Sequence, residues 1–291
     1  MTHKSFIPLF SCLLATGWLF TSCSPDGASE YRYDITASKI ALKLLNSNIE
    51  EKIRLDLIDE YPCLSSEILT ELIRDLESET REETKRIPWI FRVTVAAGER
   101  NTDSELLEIL EISLPKPGEK LLNWQTVVLG GGIVNGISRQ GIWPKSRIHD
   151  ILQADHILSE RWKYAIEESY QIAADPEVPN PWRYDALRIL AMDSPEKSIP
   201  ELQSYLDPDL DDHLNMGAIS GLSDIQSTVV TDLLLSGLPH FSDRNRNLVL
   251  EAMLRTDRRI AVLFKKISSN ELTIEHFGIE QPGPVSLTVE N

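Results

Sequence analysis

The chain is poor in the features that usually announce chemistry. Three cysteines in 291 residues are too few for a disulfide framework. Lys and Arg number 29 against 45 Asp and Glu, a net charge of −16 at pH 7. That excludes a general nucleic-acid binder, whose affinity rests on neutralising phosphates. No H-E-x-x-H, G-x-S-x-G or C-x-x-C occurs. His149, His156 and His240 are scattered, with no second ligand or nucleophile at useful spacing, so they read as structural or solvated. The sequence therefore offers no catalytic residue, no metal site and no cofactor. Alternating strand patterns are also scarce.

Helical periodicity dominates, and part of it repeats. Asp185-Ala-Leu-Arg-Ile-Leu190 is echoed at Gly217-Ala-Ile-Ser-Gly-Leu222 and at Val249-Leu-Glu-Ala-Met-Leu254, each 32 residues on. Pro200–Leu206 recurs as Asp232–Leu238 at the same step. Two helical faces repeating at one period predict an all-α chain, an α-solenoid of stacked antiparallel helix pairs of the HEAT/armadillo-like kind. Asp193, Asp224 and Asp257 stand between first and second helices, each available as an N-cap. Ala186, Gly217, Ala218 and Gly221 let neighbouring helices approach closely.

Earlier segments fit helices over Ile35–Asn46, Glu50–Glu60, Ser66–Glu77, Ile87–Gly98, Glu105–Ile112, Leu121–Ser138, Ser146–Leu152 and His156–Ala173. Ser65 or Ser66 is the expected cap before Glu67, Pro88 an expected first-turn residue and Asp155 an expected cap. The resulting organisation is 35–174 irregular helical repeats, 175–181 a proline-rich boundary, 182–270 regular repeats and 271–291 a tail.

Residues 1–22 read as an export signal: Lys4, then a largely apolar and uncharged Phe6–Phe20, interrupted and too short for a comfortable span of about 20 apolar residues. Leu19-Phe20-Thr21-Ser22-Cys23 resembles the bacterial lipoprotein signal, with Phe20 where Leu is usual. An ordinary secretory signal that happens to contain Cys23 is the alternative. The resemblance implies lipidation of Cys23, a polar tether over 23–34 and a membrane-anchored protein facing the periplasm or the cell surface. Ser24 after the cysteine leans toward the outer membrane. Without the signal, which carries only Lys4, the net charge is −17. Such acidity holds the folded part off anionic lipid. With Cys12 removed and Cys23 acylated, no intrachain disulfide is expected, and Cys63 reads as a small buried hydrophobe.

Three stretches invite a chemical reading. Gly130-Gly-Gly132 and Gly136 after an apolar run suggest a dinucleotide loop, but no ribose-binding acid follows on a second strand, so a tightly packed helix is favoured. Asp207–His213 suggests calcium, but an EF-hand loop starting at Asp207 would have Asp212 and Ala218 where Gly and Glu are required. It reads instead as a helix end and a cap. The repeat step places Arg244 beside Asp212 and predicts an ion pair there. Lastly, Arg244, Arg246, Arg255, Arg258, Arg259, Lys265 and Lys266 crowd one stretch containing only Glu251 and Asp257 as acids. This is either an edge that docks an acidic partner or an ordinary solvated face.

Trp182–Leu190, Asn215–Asp224 and Arg244–Arg255, together with Leu129–Ile137, resemble the HEAT-repeat segment of large exported dehydrogenase-like proteins of planctomycetes and verrucomicrobia. The likeness covers about residues 60–291 and lies mostly in small and apolar helix positions. In that family the repeats lie between a propeller and a cytochrome c domain. This chain has neither C-x-x-C-H nor a repeated strand pattern, so no enzyme activity carries over. The resemblance implies a helical-repeat fold, export and a protein partner. The expected function is a protein-binding scaffold outside the cytoplasmic membrane, or alternatively an accessory subunit of an exported haem- or quinone-cofactor dehydrogenase.

Overall fold

A computed structural model describes residues 36–273 apart from Glu79. The expected signal 1–22, Cys23, the tether 23–34 and the tail from 274 lie outside the described residues.

The described residues are all-α. In chain order the helices are α1 (Ala37–Leu44), α2 (Glu51–Glu60), α3 (Ser65–Ile73), α4 (Arg81–Arg100), α5 (Asp103–Ser113), α6 (Asn123–Thr126) and α7 (Asn135–Arg139). There follow α8 (Pro144–Leu152), α9 (His156–Ala174), α10 (Asn180–Leu190), α11 (Pro195–Ser204), α12 (Asp212–Ser223), α13 (Thr228–Gly237), α14 (Asp243–Leu254) and α15 (Asp257–Ser268). Short 3₁₀ turns occupy Pro62–Leu64 and Leu238–His240. None of the described helices is long and apolar enough to cross a membrane. Helices α10, α12 and α14 begin 32 and then 31 residues apart, close to the period of the sequence echo.

Side-chain caps start several of these helices. The side chains of Thr80, Asp155, Asp211, Ser227, Ser242 and Thr256 each accept a first-turn backbone N–H. These bonds satisfy donors that a helix leaves orphaned. Asp155 behaves as expected. The aspartates between repeat helices do not: Ser227 and Thr256 cap the second helices, while Asp224 closes α12 and is buried. Ser65 and Ser66 open α3 without capping it; Ser66 Oγ donates to Glu108 at 2.7 Å. Pro88 is a further correction, lying inside α4. The Thr80 cap, with Glu82 and Glu83 in the first turn, starts that helix earlier than the proline suggests. Burial of Trp89, Ile90 and Val93 just beyond the proline offsets its missing N–H.

Helices α6 and α7 are the two ends of one helix whose middle, Val127–Val134, winds as a π-helix with every residue buried. The glycine run is therefore helical, as favoured, and the dinucleotide-loop reading is excluded. Its role is close approach. A Cβ on Gly132 would overlap Thr94 of α4, one on Gly130 would overlap the Asp185 carbonyl of α10, and one on Gly136 would stand 2.7 Å from Gly98 Cα.

Contacts run from α1 to α3, α4, the π segment, α10, α12 and α14 in turn. One apolar cluster extends along this row, from Ile40 and Leu69 through Ile90, Val128 and Leu187 to Ile219 and Met253. The proline-rich stretch 175–181 leads directly into α10, which packs on both α9 and the π segment.

Cys63 departs from expectation twice. It is exposed, and it is disulfide-bonded. The expectation of a lone thiol depended on losing Cys12 and acylating Cys23.

Candidate functional site, an arginine-lined cleft

Because side chains four apart share a helix face, the first helices of the repeats present the same two positions to one cleft. Tyr184, Met216 and Leu248 line it, and so do Arg188, Ser220 and Ala252, each trio at the 32-residue step. The C-terminal end of the π-containing helix closes one side with Asn135, Ser138 and Arg139. The cleft has a volume of about 670 Å³. Four arginines line it (Arg139, Arg188, Arg244 and Arg255), and its one acid is Glu251.

Beneath the lining lies Asp224, 3% exposed. Its Oδ1 accepts from Ser138 Oγ at 2.5 Å and Arg255 Nη1 at 2.6 Å, and its Oδ2 accepts from Arg188 Nη2 at 3.3 Å. Arg255 also donates to the carbonyls of Ser223 and Ile142 and lies 4.2 Å from the centroid of the Trp143 ring. Arg259 stands on the same ring at 5.5 Å and donates to the carbonyls of Ser223, Ile225 and Ala252. These carbonyls belong to the ends of α12 and α14 and to the turn after α12, where a cation complements the helix dipole.

The electrostatics are lopsided. One buried carboxylate faces three guanidinium groups, although the chain as a whole is strongly acidic. Burial, and after it the neighbouring Arg255, pulls the Arg259 pKa down to about 10, with Asp224 opposing both. Arg188 ends above the usual arginine value: burial works against it, but Tyr184, Asp224 and Asp185 together outweigh that. The Nε atoms of Arg188 and Arg255 are buried with no hydrogen-bond partner among the described residues.

The seven basic residues singled out in the sequence separate in space. Arg244 and Arg255 line the cleft. Arg259 is buried, and Arg258 shares a second depression of about 530 Å³ with Trp143 and Thr228. Arg246 donates to the Leu238 carbonyl and pairs with Asp243, and Lys266 pairs with Glu271. Lys265 is exposed. Arg188 gave no signal as a site residue because it sits among Ala186, Leu187, Ile189 and Leu190, and Asp224 read only as a candidate cap. The signal that finds Arg188 is the repeat itself, which aligns it with Ser220 and Ala252.

The expected Asp212–Arg244 pair is not formed; among the described residues Asp212 is held by Asn245, whose Nδ2 donates to Oδ1 at 2.8 Å. Asn245 turns inward, fully buried, and Arg244 outward to the cleft. The Asp207–His213 segment serves as a helix end and a cap. Asp211 caps α12, and Asn215 Nδ2 donates to the carbonyls of Tyr205 and Asp207.

Compared with models of protein families, with curated proteins and with solved structures, the chain matches none.

Proposed function

We propose that the chain is a lipid-anchored, HEAT-like α-solenoid whose row of first helices forms a binding face for another protein outside the cytoplasmic membrane. The observation that carries this reading is the repeated lining of the cleft: Tyr184, Met216 and Leu248 occupy equivalent places on α10, α12 and α14. Stacked units that present one position to one side generate the extended binding surface typical of solenoids. The lipoprotein-like Leu19–Cys23 supplies the anchor, through acyl chains worth ~0.8 kcal/mol per buried methylene.

The test is a mild-detergent pull-down of the tagged full-length chain from its native membranes, with mass spectrometry and absorbance on the captured material. A stoichiometric protein partner is expected. A partner bearing haem or a propeller would specify the role as an accessory subunit of an exported dehydrogenase, whereas a stable, solitary monomer would overturn the scaffold. The anchor is tested separately by Cys23→Ala, which should shift the protein from the membrane to the soluble fraction. A variant that stays membrane-bound and unprocessed refutes lipidation.

A further inference from the structure

We propose that the cleft between α7, α10, α12 and α14 binds a small anionic molecule through a carboxylate or phosphate group. Arg139 and Arg244 form its exposed rim, and Arg188 and Arg255 its buried floor. This goes beyond the protein-binding reading and does not depend on it.

Charge, shape and unfilled hydrogen-bonding capacity support the assignment. Among the described residues Asp224 is the only carboxylate in hydrogen-bond contact with the two floor arginines, and part of its capacity is taken by Ser138. Arg259 adds a third cation at the same node, directed at carbonyls rather than at a carboxylate. Positive charge therefore remains in excess at a buried position, in a protein whose overall charge is strongly negative. Burying cations without full pairing is costly, and an oxyanion in the cleft would supply the missing partner.

The floor side chains are only 5% and 8% exposed, and each keeps an Nε–H without an acceptor among the described residues. At the rim, Arg244 is exposed and has no ion-pair partner among the described residues, while Arg139 reaches Glu99 at 2.6 Å. Guanidinium groups match the planar, two-oxygen geometry of carboxylate and phosphate. Tyr184, Asn135 and Ser220 add neutral polar groups, and the volume suits a small molecule.

The experiment is isothermal titration of the full-length chain in mild detergent with inorganic phosphate and, separately, with citrate. Saturable one-site binding of at least one probe is expected. The paired variant Arg139→Ala/Arg244→Ala should weaken it about tenfold or more, and Glu251→Gln should tighten it by removing a repelling charge from the lining. Lys265→Ala, an exposed cation away from the cleft, should leave it unchanged. The rim arginines are exposed, so these variants should keep the parent unfolding transition, which the same samples can report. Absence of saturable binding of both probes up to about 10 mM, or equal affinity in the paired variant, would overturn the site. So would an equal loss on Lys265→Ala, which would reveal general charge attraction. The pull-down described above reads a protein partner independently, so either reading can fail alone.

Discussion

The two sides of α10 are both closely packed, but only one carries a charged edge. Toward the chain start it meets the π segment, where Gly130, Gly131 and Gly132 remove side chains so that backbones touch. Toward the chain end it packs on α12, where Gly217 and Gly221 face Tyr184 and Leu187, and the edge of that contact carries a node of arginines around Asp224. Backbone-to-backbone packing leaves no room for a ligand. On the α12 side the backbones also approach closely, but long charged side chains at one edge of that contact line the cleft. One row of helices thus has a closed part and an open part, and the difference lies in side-chain size and charge rather than in secondary structure.

The sharpest way to break this contrast is at the charged node. Asp224→Ala leaves Arg188 and Arg255 buried without their carboxylate and should cost ~3–5 kcal/mol of unfolding free energy by chemical denaturation. On the closed side, Gly136→Ala would press a methyl group against Val95 and Gly98 backbone, and should cost ~1–3 kcal/mol. If Gly136→Ala were neutral, the close approach would not be the reason for glycine there. A similar loss, about 1–3 kcal/mol, is expected for Asn245→Ala, which leaves Asp212 without its donor.

The boundary between the two regions carries a pH dependence. Asp185, buried on α10 against Gly131, has its pKa raised from 3.8 to about 8, chiefly by burial and in spite of Arg188. The folded protein therefore keeps a proton that the unfolded chain releases between those values. Stability should fall as pH rises through that window. Asp185→Asn should flatten the slope and exceed the parent by about 1–3 kcal/mol at pH 8. A parent whose unfolding midpoint is level from pH 5 to 8 would show that this carboxyl titrates normally. The smallest effect is expected at the cleft rim, where Arg244→Ala should change stability by less than about 0.5 kcal/mol. A larger change would mean that Arg244 is part of the node.

Much of the helical organisation was legible because it rests on periodicity. The Leu and Ile spacing marked the elements, and the 32-residue echo aligned α10, α12 and α14. What was illegible depended on tertiary burial or on a single-residue shift. Asp224 looked like a cap by its place in the repeat, and only packing against Arg188 and Arg255 makes it the centre of a charged node. Pro88 looked like a helix start, but a stronger cap at Thr80 lies seven residues after Ile73 ends α3. The contact of Asp212 falls one residue beyond the repeat step, on Asn245 rather than Arg244. The basic run 244–266 concentrated attention on neighbours in sequence, whereas the cleft joins residues one repeat apart.

The π winding of Val127–Val134 also acts as a phase adjuster. Each residue in an i→i+5 helix advances around the axis by less than the ~100° of an α-helix. Eight such residues accumulate an angular lag that α7 inherits. That lag helps determine which side of α7 turns toward the repeats, and hence that Asn135, Ser138 and Arg139 face the cleft rather than solvent or α4. The glycines at 130–132 do not line the cleft, yet the winding they belong to sets the angle at which it is closed on that side.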